Sequence, residues 1–419
     1  SSLMPIAWGK IYSRYDAVLS ANVDLELPVD RWIMFTRLRG WVVYQDYSQS
    51  QNGDCLEMFA LDGSLQGEWT FHVPTGRGTH VVIKIKARMD RNRDRVQFIL
   101  ERCPAIQGQG HLPDGEFIDI ILRPDIENRS YHANTKAYKG LEQIWPSAVT
   151  PGEGGFSFQP DDQHILDIYQ EKSIFVYEPE WHYMVHRSED ASRGFDALGD
   201  LFSPGYFKIK IGGGAVTCLD ARVTTPGEVQ PVGERQSMQL PVLMEASDQD
   251  GMDSVLSVQK ILKAALGRFV VRRGSLHTVI AGYPWFLDWG RDAIIVTRAL
   301  IELGETKLVR RILKLFGRFE ENGTLPNMLQ GTRTSNRETS DAPLWFIIAC
   351  KELVAKENNR SWLGENCGQR SIQDIISAIA NAYMKGTSNG IQMDAESGLI
   401  YSASHYTWMD SNHPAGSPR

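Results

Sequence analysis

The sequence contains no run of about eighteen apolar residues, so nothing in its 419 positions reads as a membrane-spanning helix. Its opening, SSLMPIAWGK, lacks both the charged start and the apolar core of a secretory signal. Cysteine is sparse. Cys55, Cys103, Cys218, Cys350 and Cys367 are odd in number and none stands at CxxC or metal-ligand spacing, which argues against a disulfide framework and a zinc site. They are expected to be reduced, structural thiols of a cytoplasmic protein. A cationic surplus is missing too: the formal net charge of −7 disfavours a nucleic-acid or anionic-membrane partner, because phosphate binding needs a clustered positive face. No metal or cofactor signature is present. What remains is an ordinary globular composition, 42% hydrophobic and 23% charged, long enough for two or three domains acting on a neutral or small polar substrate.

The hydrophobic period changes along the chain. Up to about residue 222, short β-like runs alternate with turn clusters: RWIMF, GWVVY at 40–44, HVVIKIKA at 80–87, RVQFIL at 95–100, FIDIIL at 117–122, SIFVY at 173–177 and YFKIKI at 206–211. The alternation of Val81, Ile83 and Ile85 with Val82, Lys84 and Lys86 predicts a half-buried strand, and MDRNRDR at 89–95 predicts a hairpin connection. An antiparallel β-sandwich over residues 1–222 accounts for this pattern. Residues 223–250 hold three prolines and no sustained period, and are expected to link the halves. From 251 to 419 the apolar spacing is helical, with segments at Val255–Phe269, 292–303, 306–320, 342–355 and 371–385. This half is expected to be helices joined by loops, and the loops at 270–291 and 321–341 are long and rich in functional residue types.

Three of those loops carry Asp and Trp together. The first, AGYPWFLDWGRD, spans Ala281 to Asp292 and offers Tyr283, Trp285, Asp288, Trp289, Arg291 and Asp292. The second, GTLPNMLQGTRTSNRETSDAPLWF at 323–346, places Asp341 at a helix start; the third, GLIYSASHYTWMDSN at 398–412, contains Trp408 and Asp410. Each has a plain structural reading: aromatic packing with a local ion pair, a helix-capping carboxylate, a β-like excursion. Sugars, however, present flat C–H faces rimmed by hydroxyls, and sites for them combine aromatic platforms with carboxylates and arginine. Trp41 and Trp69 are further aromatic candidates for a glucan contact in the first half.

The motifs GYPWF.DWGRD, LPN followed by SDAPLWF, and YTWMD resemble the amylo-α-1,6-glucosidase domain of bacterial and archaeal glycogen debranching enzymes, over residues 250 to the end. The β-rich half is compatible with that family's N-terminal sandwich. The resemblance implies a six-pair (α/α) barrel, inverting hydrolysis of the α-1,6-linked glucose at a branch of glycogen or a limit dextrin, and Asp341 as general acid. It also implies Trp289, Arg291, Asp292, Trp408 and Asp410 around the glucose, with Tyr283, Trp285 and Asp288 as platform or supporting residues. The water-activating Glu of the family would lie past Arg419, and about five of twelve barrel helices are present, so the chain reads as truncated. An acid working at neutral pH needs burial or negative charge beside it, since a model Asp titrates near 3.9. A trehalase-like glucosidase on the same barrel and a glucan-binding protein without catalysis are the competing readings.

Overall fold

A computed structural model describes residues 3–22, 31–61, 66–90, 93–227, 254–283, 285–331, 334 and 336–409. Contacts divide the chain into two compact units, one of residues 1–23 and 31–264, the other of 24–30 and 265–419.

The first unit is two antiparallel sheets. One has the order β1 (Leu19–Ala21), β2 (Trp32–Tyr44), β8 (Ile118–Ser130), β13 (Leu198–Ile211), β12 (Ser173–His186), with β3 (Tyr47–Ser50) also on β2. The other runs β4 (Leu56–Leu61), β5 (Gly67–Pro74), β6 (His80–Met89), β7 (Arg95–Arg102), β14 (Val216–Thr224), β11 (Ile165–Tyr169), β10 (Gly155–Phe158), β9 (Val149–Gly152). Two short helices, α1 (Leu141–Ser147) and α2 (Ser188–Ser192), sit in the connections. Both sheets contribute to one core, in which Phe35, Leu122 and Phe207 from the first meet Phe71, Ile83, Phe98 and Leu219 from the second. This is a β-sandwich, and the alternation in HVVIKIKA and YFKIKI follows from it: Ile83, Ile85, Phe207 and Ile209 face the core. Trp69, named above as a candidate for a glucan contact, is buried. It is 3% exposed, packed edge-on to Trp8 with its indole N–H donating to the Ile6 carbonyl.

The strands differ from the sequence expectation in length. RWIMF and GWVVY belong to one thirteen-residue strand, and FIDIIL, SIFVY and YFKIKI are parts of strands of thirteen or fourteen residues. In β2, β8 and β12 the additional residues include Arg37, Arg39, Arg123, Asp125, Glu127, Glu178 and Glu180, charges that hid them from an apolar-period reading. Arg37 and Arg39 on β2 both pair with Asp125 on β8, and Arg123 on β8 pairs with Glu178 and Glu180 on β12. Glu127, wholly buried, accepts from Arg129, Arg187, Thr36 and Thr135. Burial pushes its carboxyl up, but the charges of Arg129 and Arg187 and the hydrogen bonds of Arg129 and Thr36 outweigh that and hold it at about 2. Burial also pulls Arg187 down; a guanidinium nevertheless stays charged in proteins, so the cluster is ionic.

The boundary falls within α3 (Ser254–Phe269); the second unit then contains a hairpin of β15 (Val270–Arg273) and β16 (Leu276–Val279), the short pair of β17 (Asp288–Trp289) with β18 (Met328–Leu329), then α4 (Gly290–Glu302), α5 (Thr306–Gly317), α6 (Ala342–Glu357) and α7 (Ile372–Lys385). Two more short pairs complete it: β19 (Asn366–Cys367) with β20 (Arg370–Ser371), and β21 (Gln392–Met393) with β22 (Ile400–Tyr401). The expectation of helices joined by loops alone is therefore corrected: the connections are pinned by two-strand ladders. Ile294, Val309, Ile312, Phe316, Phe346, Leu353 and Ile375 form its core. On α3 the helical period is present, yet Val258, Ile261 and Leu262 of the apolar stripe are exposed and Leu266 is partly buried against the core. Of the expected linker, Val223 and Thr224 extend β14, and residues 228–250 lie outside the described residues. Among the described residues no helix is long and apolar enough to cross a membrane.

Replacing Glu127 by Gln should destabilise the protein by about 3–5 kcal/mol in denaturant titration, the usual cost of stranding buried charge. The sign with pH follows from a folded-state value below the unfolded one. The carboxylate's stabilisation is present above about pH 4.5, is lost as pH falls towards 2, and is on the order of 3 kcal/mol. The same titration in Glu127→Gln should lose that part of its acid sensitivity.

Candidate functional site

The site is built where two helices begin. Trp289 occupies the N-terminal cap position of α4 in extended conformation, with Asp292 in the first turn. Its strand β17 pairs Asp288 with Leu329 and Trp289 with Met328, and the Gly290 N–H donates to the Asn327 carbonyl at 2.9 Å. Gly290 is required here because a Cβ would stand 2.4 Å from the Pro326 carbonyl oxygen. The glycine of the GRD motif thus lets the LPN segment lie against the start of α4.

Asp341 caps α6 by position, but its side chain makes no capping hydrogen bond. The capping expectation for this carboxylate fails at the level of geometry. Its two oxygens instead accept from Arg291 Nε, at 2.8 Å to Oδ1 and 2.7 Å to Oδ2, and Oδ1 also accepts from the Thr339 hydroxyl at 3.0 Å. Thr339 performs the cap, its Oγ1 accepting from the Ala342 N–H at 3.4 Å. Arg291 is buried and Asp341 half-buried. A positive group, rather than the negative charge an acid at neutral pH was expected to need, touches Asp341.

The two helices run parallel from this point. Arg298 pairs with Glu352 and Lys356 with Glu302 further along, so their N-termini coincide at the Arg291–Asp341 contact. The positive ends of both helix dipoles therefore fall on the same spot, which favours negative charge there. A groove of about 520 Å³ lies between their later turns, lined by Arg298, Ala299, Glu302, Glu352, Ala355 and Lys356, and is distinct from the helix starts.

The third segment reaches the same place. Both the Ser340 N–H and its hydroxyl donate to the Tyr406 carbonyl, at 2.6 and 3.0 Å, and Tyr383 on α7 donates to the Ser340 carbonyl at 2.6 Å. Burial, and then the charge of Asp341, push the Tyr383 phenol well above its ordinary value. Trp408 follows two residues after Tyr406 and is 73% exposed; Asp410 lies outside the described residues.

The aromatics of the first segment divide by environment. Phe286 and Trp289 meet edge-on at 6.5 Å, Trp285 and Phe286 are exposed, and Tyr283 and Trp289 are half-buried. Asp288 is fully buried, paired with Arg273 of β15 at 3.1 Å, while Arg273 also bonds the Gly331 carbonyl. It holds the hairpin to β17. Thr339, Tyr383, Tyr406 and Arg273 were not singled out from sequence. Thr339 stands two residues before Asp341 in TSDAP and could have been; Tyr383 and Arg273 lie in other segments and carry no local signal. Substituting Arg273 by Met should leave Asp288 without its cation and lower stability by about 3–5 kcal/mol, measured as a shifted denaturation midpoint.

Comparisons agree with this order of parts. The family described as glycogen debranching enzyme N terminal matches residues 5–217, and the family amylo-alpha-1,6-glucosidase matches residues 263–419. No curated protein matches. Among solved structures, a bacterial glucoamylase complexed with acarbose aligns at 12% identity and TM-score 0.46, covering 93% of this chain and 61% of that one. A putative kojibiose phosphorylase from the human microbiome aligns at 10% identity and TM-score 0.41, over 92% of this chain and 54% of that one. The chain thus spans roughly three-fifths or less of these two neighbours, and likeness at this level carries no argument about activity. With one family covering more than half of its residues and the second most of the remainder, the chain belongs to the glycogen debranching enzymes, carrying their N-terminal domain and amylo-α-1,6-glucosidase sequence.

Proposed function

We propose that this protein serves glycogen debranching, as the part of an inverting α-1,6-glucosidase that binds the branch glucose and supplies the general acid, Asp341. One observation carries the reading: Asp341 stands at a helix start without capping it, and its carboxyl is turned to Arg291 where two parallel helices begin. Parallel next-but-one helices with α5 between them also suit an (α/α) barrel, in which functional groups collect at one end. Trp289, Arg291, Asp292 and Trp408 are assigned to the glucose subsite, with Asp410 from the family resemblance. Tyr283 and Trp285 form its aromatic approach. Inversion needs a second, ionised carboxyl to activate water; the resemblance assigns that role to a Glu on a later segment. Glycogen or a limit dextrin is the substrate, with no metal or cofactor in the chemistry.

The Arg291–Asp341 ion pair is the observation on the side of a binding role without catalysis, since an acid must carry a proton it can give. Turnover in the full-length protein separates the two. There, Asp341→Asn should reduce kcat on a branched dextrin by roughly 10²–10⁴ and leave KM nearly unchanged, because proton donation contributes to the transition state and little to ground-state binding. A glucosyl fluoride, whose leaving group needs little protonation, should recover much of the loss; full activity in the variant would return Asp341 to a structural role. Asp292→Ala should weaken glucose binding by about 1.5–3 kcal/mol, measured calorimetrically, as for a charge-assisted hydrogen bond.

A further inference from the structure

The three histidines His72, His80 and His111, the groove between α4 and α6, and the exposed stripe of α3 each lack a feature that names a ligand. The contact between Arg291 and Asp341 has one, provided that it is the sugar site proposed for it. In the structure both Asp341 oxygens are engaged: Oδ1 by Arg291 Nε and Thr339 Oγ1, Oδ2 by Arg291 Nε. With Arg291 Nε against both oxygens, a glycosidic oxygen would have to share the carboxyl with the guanidinium. Resting on the sugar-site reading, we propose that the Arg291–Asp341 ion pair is a latch opened by the ligand itself: a sugar hydroxyl takes over the guanidinium, and Asp341 then takes a proton from solvent on Oδ2.

The groups facing Asp341 make this direction the favourable one. From α4 comes Arg291; from α7 comes the Tyr383 phenol, which burial and Asp341 keep in its neutral form; from its own loop comes the neutral Thr339 hydroxyl. Arg291 is therefore the cation in contact with the carboxylate among the described residues. When it swings to a sugar oxygen it keeps its charge and a strong hydrogen bond, whereas the carboxylate loses its counter-ion and, as the sugar displaces water, its solvation. Both losses favour the neutral acid. Thr339 is pinned by its own backbone and by the cap it makes to Ala342, so it stays on Oδ1. Oδ2, left without its donor, is where the O–H forms. No bond to carbon changes in this step; one proton moves from bulk water to Oδ2, and the ion pair is exchanged for two hydrogen bonds. Thr339 is accordingly a positioning residue, fixing which oxygen carries the proton.

Calorimetry with isomaltose, a neutral α-1,6-linked probe, in two buffers of different ionisation enthalpy reads the step directly in the full-length protein. The expected result is uptake of about one proton per isomaltose bound near neutral pH, with affinity falling about tenfold per unit rise in pH. Asp341→Asn should still bind, with heats that no longer depend on the buffer. Thr339→Ser should retain the linkage, while Thr339→Val should weaken it and shift the pH profile of binding. Isomaltose binding with no proton uptake in the unmodified protein would overturn the latch and leave the sugar site standing; absence of any binding would overturn both. Should Asp341→Asn fail to fold, the pH slope of the unmodified protein decides alone, a flat profile counting against the latch.

Discussion

A carboxylate taken out of water has to be answered by a cation or by backbone N–H groups, and in this protein arginine supplies most of the answers. Glu127 with Arg129 and Arg187, Asp125 with Arg37 and Arg39, Asp288 with Arg273, and Asp341 with Arg291 are the same device at four places in the structure. The planar guanidinium presents several N–H donors at once, so one arginine can hold a carboxylate and a carbonyl together. Arg273 does this, joining Asp288 to the Gly331 carbonyl and so tying the hairpin to the loop that leads to Asp341.

Three of the four pairs are fully withdrawn from solvent at the carboxylate and act as fasteners. The fourth differs in one physical respect: Asp341 is half-buried, at the open end of two parallel helices. A fully buried pair would be costly to separate, because either ion would be left without water or partner. A pair at the boundary can be exchanged for hydrogen bonds to an entering ligand. Location, rather than chemistry, separates a fastener from a group available for reaction.

The short ladders of the second unit serve the same end. Helices alone would leave the stretches at 281–289 and 323–340 as long loops, whose ordering costs entropy at every residue. The pairing of β17 with β18, the close approach at Gly290 and the clamp of Ser340 by Tyr406 and Tyr383 convert those loops into fixed supports for Arg291 and Asp341. Precision at a binding site comes from such supporting contacts more than from the groups that touch the ligand.

The sequence by itself determined the change from period two to period 3.6, and with it the sandwich strands and the positions of α4, α5, α6 and α7, because burial of one face imposes its period on the residues. It also marked the three Asp-bearing loops, since residue types with chemistry are legible one position at a time. Tertiary structure alone decided the rest. The charged continuations of β2, β8 and β12 are strand only because cross-strand ion pairs compensate their burial, and no local pattern announces a partner tens of residues away. The same reason hid the burial of Trp69, the pairing of Asp288 with Arg273, and the closing of Arg291 on Asp341. A pairing energy belongs to two positions together, and the chain must fold before they meet.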